Sequence, residues 1–228
     1  MAYKAIFFDR DGTLTYANPA KLQWRDQTLA AWSGHAFSLP YDKMMRLFGL
    51  AAGGRQPWYR NLDDERAFMQ RYYRHLLAGE GIARDLDARA GTLFAELWCN
   101  NDRLLYPDVV AVLDFFKRSG YRMGVISDTS PSLELTLRQL GIAGYFTSFT
   151  ASSLVGAGKP SPIIFSAALV SLGVSAAESL YVDDYDPEAD GARQQGFTAF
   201  NLDRGGAKRG PWVIHSLTEL IDFAERNR

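Results

Sequence analysis

Three short apolar runs, each ending in polar or acidic residues, constrain this chain more than any other feature. Residues 3–8 (YKAIFF) stop at Asp9-Arg10-Asp11-Gly12-Thr13, residues 121–126 (YRMGVI) at Ser127-Asp128-Thr129, and residues 179–182 (SLYV) at Asp183-Asp184. Runs of this length and composition, closed by turn residues, read as buried strands. Amphipathic stretches at 109–119 and 132–140 are each followed by a glycine, Gly120 and Gly141, in the manner of a helix C-cap. Strand alternating with helix predicts an α/β fold with a doubly wound parallel sheet, and such sheets bind ligands beyond the carboxyl ends of their strands. The three polar tips should therefore converge.

Residues 16–103 have a different texture. Stretches such as 62–77 and 86–98 are rich in Leu, Ala, Arg, Glu and aromatics, with no strand pattern. They predict a smaller all-helical domain inserted into the core, which then consists of residues 1–15 and 104–228. The run Gly49-Leu50-Ala51-Ala52-Gly53-Gly54 reads as a flexible interruption, and the chain returns to the core near Tyr106-Pro107. The insertion directly follows the first acidic tip, where a lid over a site would attach.

Composition narrows the possible functions. With 25 basic and 26 acidic residues and a net charge of -1, the chain has no overall basic field to hold nucleic acid or an anionic membrane surface. An anionic ligand must be met by a local site. No apolar run approaches the roughly 20 residues that span a bilayer, and charges come too early at the start for a signal peptide, so a cytoplasmic protein is expected, as a monomer or homodimer. Cys99, the single cysteine, reads as a packing residue. His35, His75 and His215 show no metal-ligand spacing.

The chemistry is expected at the strand tips. Asp9 and Asp11 stand two apart, which on an extended strand puts both on one side until Gly12 turns the chain. Paired carboxylates repel unless a cation such as Mg²⁺ joins them; an Asp-Gly turn with a solvated Asp11 would explain the same residues. Asp183 and Asp184 form a second acidic pair directly after an apolar strand, and metal binding is the reading we favour there. Ser127 suits a phosphate oxygen or a helix cap. Lys159, in Gly158-Lys159-Pro160 before a helical stretch from about Ser161, suits charge balance or plain solvation, with Pro160 in the first helical turn. Arg204, Lys208 and Arg209 read as a solvated glycine-rich loop.

Taken in order, Phe8-Asp9-Arg10-Asp11-Gly12-Thr13-Leu14, Val125-Ile126-Ser127-Asp128, Gly158-Lys159-Pro160 and Val182-Asp183-Asp184 resemble the four motifs of the haloacid dehalogenase-like hydrolase superfamily. The resemblance implies a Rossmann-like core with a helical cap between the first two motifs, and a phosphatase acting on a small phosphorylated substrate. It implies Asp9 as nucleophile, Asp11 as general acid and base, and Ser127, Asp128 and Lys159 as substrate-binding residues. It also implies Mg²⁺ held by Asp9, the Asp11 carbonyl and Asp184, and leaves open whether Asp183 or Glu188 meets the metal directly or through water. The acid at position 11 disfavours dehalogenation, because a halide leaves without a proton whereas an alkoxide needs one. A sugar-phosphate mutase, or a catalytically quiet binding protein on the same fold, would retain these motifs. In the inserted domain, Gly53-Gly54-Arg55-Gln56-Pro57-Trp58-Tyr59-Arg60 suggests Arg55 as a substrate-recognition residue, an inter-helix loop being the alternative.

Overall fold

In the computed structural model, which describes residues 3–53 and 59–227, the first strand, β1 (Ala5–Phe8), is buried along its whole length. The chain continues through β2 (Thr15–Ala17), α1 (Pro19–Ser33), α2 (Tyr41–Ala52), α3 (Leu62–Gly79), α4 (Leu86–Leu97) and β3 (Arg103–Leu105). It then runs through α5 (Val109–Arg118), β4 (Arg122–Ser127), α6 (Leu133–Gln139), β5 (Ser148–Ala151), α7 (Ser152–Val155) and α8 (Pro162–Leu172). The last elements are β6 (Ser179–Asp183), α9 (Asp186–Gln194), β7 (Thr198–Leu202), β8 (Val213–Ile214) and α10 (Glu219–Arg226). Contacts divide the chain into two compact units, Met1–Tyr16 with Leu105–Arg228, and Ala17–Leu104.

The first unit is built on a six-stranded sheet in the order β5-β4-β1-β6-β7-β8, and every neighbouring pair is parallel. Side chains alternate across it. Ile6 and Phe8 of β1 join one apolar cluster with Val109, Val112, Leu113 and Phe116 of α5, whereas Ala5 and Phe7 join another with Ile164, Phe165 and Ala168 of α8. The spacing of those α5 residues is one helical face. Full burial of a side chain the size of Phe7 or Phe8 stabilises the fold by about 1.5–3 kcal/mol, which fixes the register and hence the level at which each strand ends. The doubly wound parallel sheet predicted from the apolar runs is present.

Two local expectations need correction. Helix α8 begins at Pro162, not Pro160, because Ser161 is its N-cap and accepts a hydrogen bond from the Ile163 N–H at 3.3 Å; proline then falls at a position whose N–H has no partner to lose. Helix α2 runs unbroken through Gly49 and ends only at Gly53, whose φ of 62° is the left-handed value of a C-cap. Burial of Leu47 and Ala51 offsets the roughly 1 kcal/mol that a mid-helix glycine costs.

The second unit holds α1 to α4 around an apolar cluster centred on Leu29, Phe68, Leu76, Leu77 and Leu93. β2 and β3 pair in a separate two-stranded sheet at its borders, where no strand was expected; three residues are too few to show a two-residue period. Among the described residues, no helix is long and apolar enough to cross a membrane.

Candidate active site

The central strands β4, β1 and β6 lie side by side, with Phe8 level with Val125 on one side and Val182 on the other. Asp9 extends the pairing by one step, its N–H donating to the Val182 carbonyl at 3.0 Å. Alternation along β1 places Asp9 on the Ala5 and Phe7 side of the sheet, and alternation along β6 places Asp183 on the same side as Tyr181. Lys159 stands on that side too, in the turn before α8. The strand tips thus deliver two buried carboxylates to one buried ammonium.

Lys159 Nζ donates to Asp9 Oδ1 at 2.8 Å, Asp183 Oδ2 at 2.7 Å and the Tyr181 hydroxyl at 3.1 Å, and it pairs with Glu188 Oε2 at 2.5 Å. Burial by itself would lower the lysine pKa, but Tyr181 and the surrounding carboxylates hold it well above its usual value, so the ammonium stays charged. Burial pushes the Asp9 carboxyl well up against the pull of Lys159, and Asp183 and Asp11 push it the same way. Burial raises Glu188 to about 7 despite the nearby lysine.

Asp183 is engaged at both oxygens: Oδ2 by Lys159 and the Tyr181 hydroxyl, and Oδ1 by the Tyr185 N–H at 2.9 Å. Asp9, Asp183 and Glu188 bring carboxylate oxygens within 4.8 Å of one another, close enough to hold a metal ion. The cation already among those oxygens is Lys159. Asp184 is not one of these three. Its carboxylate lies against Gly12, so close that a Cβ on Gly12 would fall 2.1 Å from Asp184 Oδ2. Gly12 also has a φ of 83°, so both backbone and space demand glycine there.

β1 stops at Phe8, so strand alternation does not place Asp11; the turn does. Arg10 Nε and Nη2 donate to the two Asp11 oxygens at 3.1 and 2.7 Å, and Thr15 Oγ1 adds a bond at 3.0 Å. Arg10 is itself buried and is tied to Thr129 Oγ1 at 2.9 Å, joining the first and second strand tips. Sequence reasoning missed Arg10, although its place between the two aspartates was a signal.

It also misjudged Arg204. That residue is not solvated: its guanidinium donates to the Thr13 carbonyl at 2.7 Å, the Gly12 carbonyl at 3.3 Å and both Asp108 oxygens at 3.1 Å, and stacks 3.7 Å from the Tyr106 ring centre. Burial raises the Asp108 pKa, but its bonds to Arg204, the Leu217 N–H and Ser216 outweigh that and leave it below its usual value. The missed signal was distributed, since its acceptors are backbone groups 191 and 192 residues away.

These residues line a cavity of about 190 Å³ with Asp9, Asp11, Ser127, Asp128, Lys159, Asp183, Asp184, Tyr185 and Glu188 on its walls. Ser127 is 2% exposed, and its hydroxyl has no hydrogen-bond partner among the described residues. Asp128 accepts the Lys159 N–H at 2.9 Å, so one of its oxygens holds the lysine turn in place. Arg55 lies outside the described residues. Six carboxylates against one lining ammonium suit a hard divalent cation with oxygen ligands. Burial and the charge of Asp183 raise the Asp184 carboxyl as well, as expected where like charges crowd.

Comparison with known proteins points the same way. The chain is 27% identical to a Mycobacterium tuberculosis phosphatase over 98% of its own length and 99% of the relative's. It is 26% identical to the phosphoglycolate phosphatase of Vibrio parahaemolyticus, covering 96% of this chain and 95% of that one. Its fold matches the crystal structure of a 2-haloacid dehalogenase from Pseudomonas syringae with a TM-score of 0.72, at 24% identity and 99% coverage of both chains. A match to the haloacid dehalogenase-like hydrolase family spans residues 3–196, and to that family of hydrolases the chain belongs.

Proposed function

We propose that the chain is a magnesium-dependent phosphatase that hydrolyses a small-molecule phosphate monoester through a phosphorylated Asp9. The observation that carries the reading is the placing of Asp11 beside Asp9 in one acidic cavity, next to a charged, buried Lys159. A carboxylic acid at that place serves an alkoxide leaving group and has no use for a halide. The phosphatase names of the Mycobacterium and Vibrio relatives support it further.

In this reading an Asp9 oxygen attacks phosphorus and the ester oxygen leaves, taking a proton from Asp11. Asp11, now a carboxylate, takes a proton from a water that attacks the phosphorus of the phosphorylated Asp9, releasing phosphate and the free carboxylate. Arg10 and Thr15 hold Asp11 in place for both transfers. The Ser127 hydroxyl and the Lys159 ammonium bind phosphoryl oxygens, and Asp183, Glu188 and Asp128 keep Lys159 charged and oriented. The Asp9 and Asp184 carboxylates and the Asp11 carbonyl would hold magnesium, which supplies neutralisation of the phosphoryl charge. Asp183 acts through Lys159 and not as a direct metal ligand. The helical unit Ala17–Leu104, inserted between the first two motifs, would serve as the cap that selects substrate, with Arg55 as a recognition residue.

The test is phosphate release from a panel of phosphate esters, with Mg²⁺ or EDTA, for the wild type and Asp9→Asn. Release that needs both the metal and Asp9 is the expected result. Release that survives Asp9→Asn, or no release from any ester with metal binding intact, would overturn the proposal; analysis of sugar-phosphate products then tests for a mutase.

A further inference from the structure

The helical unit contains a cavity of its own. It measures about 160 Å³ and is walled by α1, α3, the end of α4 and the residues leading into β3. Lys21, Leu22 and Arg25 present one face of α1 to it, at the spacing of a single helical stripe, and Ala17 adds the end of β2. Tyr72, Tyr73 and Leu76 face it from α3, and Leu97, Asp102 and Arg103 complete the wall.

Two features separate this space from a packing gap. The first is a pair of hydroxyls with no partner among the described residues. Tyr72 and Tyr73 are 5% and 4% exposed, yet neither phenol has a hydrogen-bond partner among the described residues. Both residues line the same cavity as the charged side chains of Arg25 and Asp102. A phenol set in such a place normally finds a hydrogen-bond partner.

The second feature is charge. Lys21, Arg25 and Arg103 stand against one lining acid, Asp102. Lys21 pairs with Glu96 at 2.9 Å and Arg103 with Asp102 at 2.9 Å, but the hydrogen bond of Arg25 to Asp26 at 2.8 Å uses only Nε. Among the described residues, both Arg25 Nη groups lack an acceptor. Opposite this polar end, Leu22, Leu76 and Leu97 supply an apolar wall.

We propose that this cavity is a binding site for a small organic acid. One anionic oxygen pair accepts from the Arg25 Nη groups and the Tyr72 and Tyr73 hydroxyls, and a short hydrocarbon body lies against the leucines. The volume suits such a ligand, since an apolar cavity of about 150 Å³ admits benzene. The site does not depend on the phosphatase reading. The acid is either a carboxylate belonging to the enzyme's own substrate or a separate molecule, and one experiment tells these apart.

Titration calorimetry of the full chain with benzoate and with butyrate tests the proposal. Binding in the millimolar range or tighter is expected, weakened at least 10-fold by Arg25→Gln, several-fold by Tyr72→Phe, and unchanged by Ser127→Ala. Tyr72→Phe keeps the ring and its packing, so it reads the hydroxyl even if Arg25→Gln is poorly folded, which thermal melts reveal. No binding of either acid to the wild type overturns the proposal, as does binding that Ser127→Ala abolishes and the two cavity variants leave intact. With an ester that the enzyme hydrolyses, an acid that raises KM alone occupies substrate ground. An acid that changes kcat at saturating ester marks a separate ligand. Either kinetic result sustains the site.

Discussion

The two cavities are built on opposite principles. In the sheet unit, neighbouring parallel strands end close to one level, and the residues at their tips, Asp9, Ser127 and Asp183, meet because the hydrogen-bond register leaves them little choice. In the helical unit, lining residues drawn from between positions 17 and 103 meet only because α1, α3 and α4 pack with particular faces inward. The saturation of the polar groups differs accordingly. Lys159 is bound by Asp9, Asp183, Glu188 and Tyr181, whereas Tyr72 and Tyr73 keep hydroxyls without described partners. A saturated cluster holds reacting groups in a fixed geometry; an unsaturated one has donors to offer an incoming molecule.

The largest test of this contrast is Lys159→Met. Removing the charge that joins three carboxylates should cost about 3–5 kcal/mol in stability and reduce kcat by about 10²–10³, measured by denaturant unfolding and by phosphate release. Added Mg²⁺ should restore part of the stability, because another cation then meets Asp9, one of those carboxylates. Asp11→Asn should reduce turnover by about 10²–10⁴ while leaving the unfolding midpoint nearly unchanged, since that side chain is half exposed. A large loss of stability in that variant would mean that the first tip, too, is held by saturation.

Arg204→Ala comes next. It frees the Gly12 and Thr13 carbonyls and takes from Asp108 its only described cationic partner, so a stability loss of about 2–3 kcal/mol is expected, with kcat falling more than KM changes. Arg204→Lys should recover only part, because a single ammonium cannot reproduce the fork. The smallest effect is expected at the periphery. Glu178, partly exposed and paired with Lys4, is lowered from 4.5 to about 2 by that bond and by Ser175. A depressed carboxyl contributes stability above its unfolded value and loses it as pH falls through the folded one. The thermal midpoints of wild type and Glu178→Gln should therefore differ slightly at pH 7 and converge as pH falls from about 4.5 to about 2.

The sheet unit was readable because its signals are local and cumulative. Apolar runs, the polar residues closing them and the alternation of strand and helix all lie within a few residues of one another, and parallel topology converts them into a common site. The register of β1 between β4 and β6 explains why Asp9, Ser127 and Asp183 could be paired on paper. What escaped were groups whose meaning lies in distant partners. Arg204 looked like a loop cation until its acceptors at Gly12, Thr13 and Asp108 were visible. Gly49 looked like a break until Leu47 and Ala51 were seen to be buried.

By itself the sequence determined the parallel α/β core, the strand tips that carry the acids, and membership of a hydrolase family, because each follows from patterns shorter than a single strand and turn. Only the tertiary structure decided that Asp183 is tied to Lys159, that Arg10 bridges Asp11 to Thr129, and that Tyr72 and Tyr73 line a cavity with hydroxyls unpartnered among the described residues. Those facts depend on side-chain direction and on burial, which are properties of the packed chain: the same residues on another helix face would be solvated and silent.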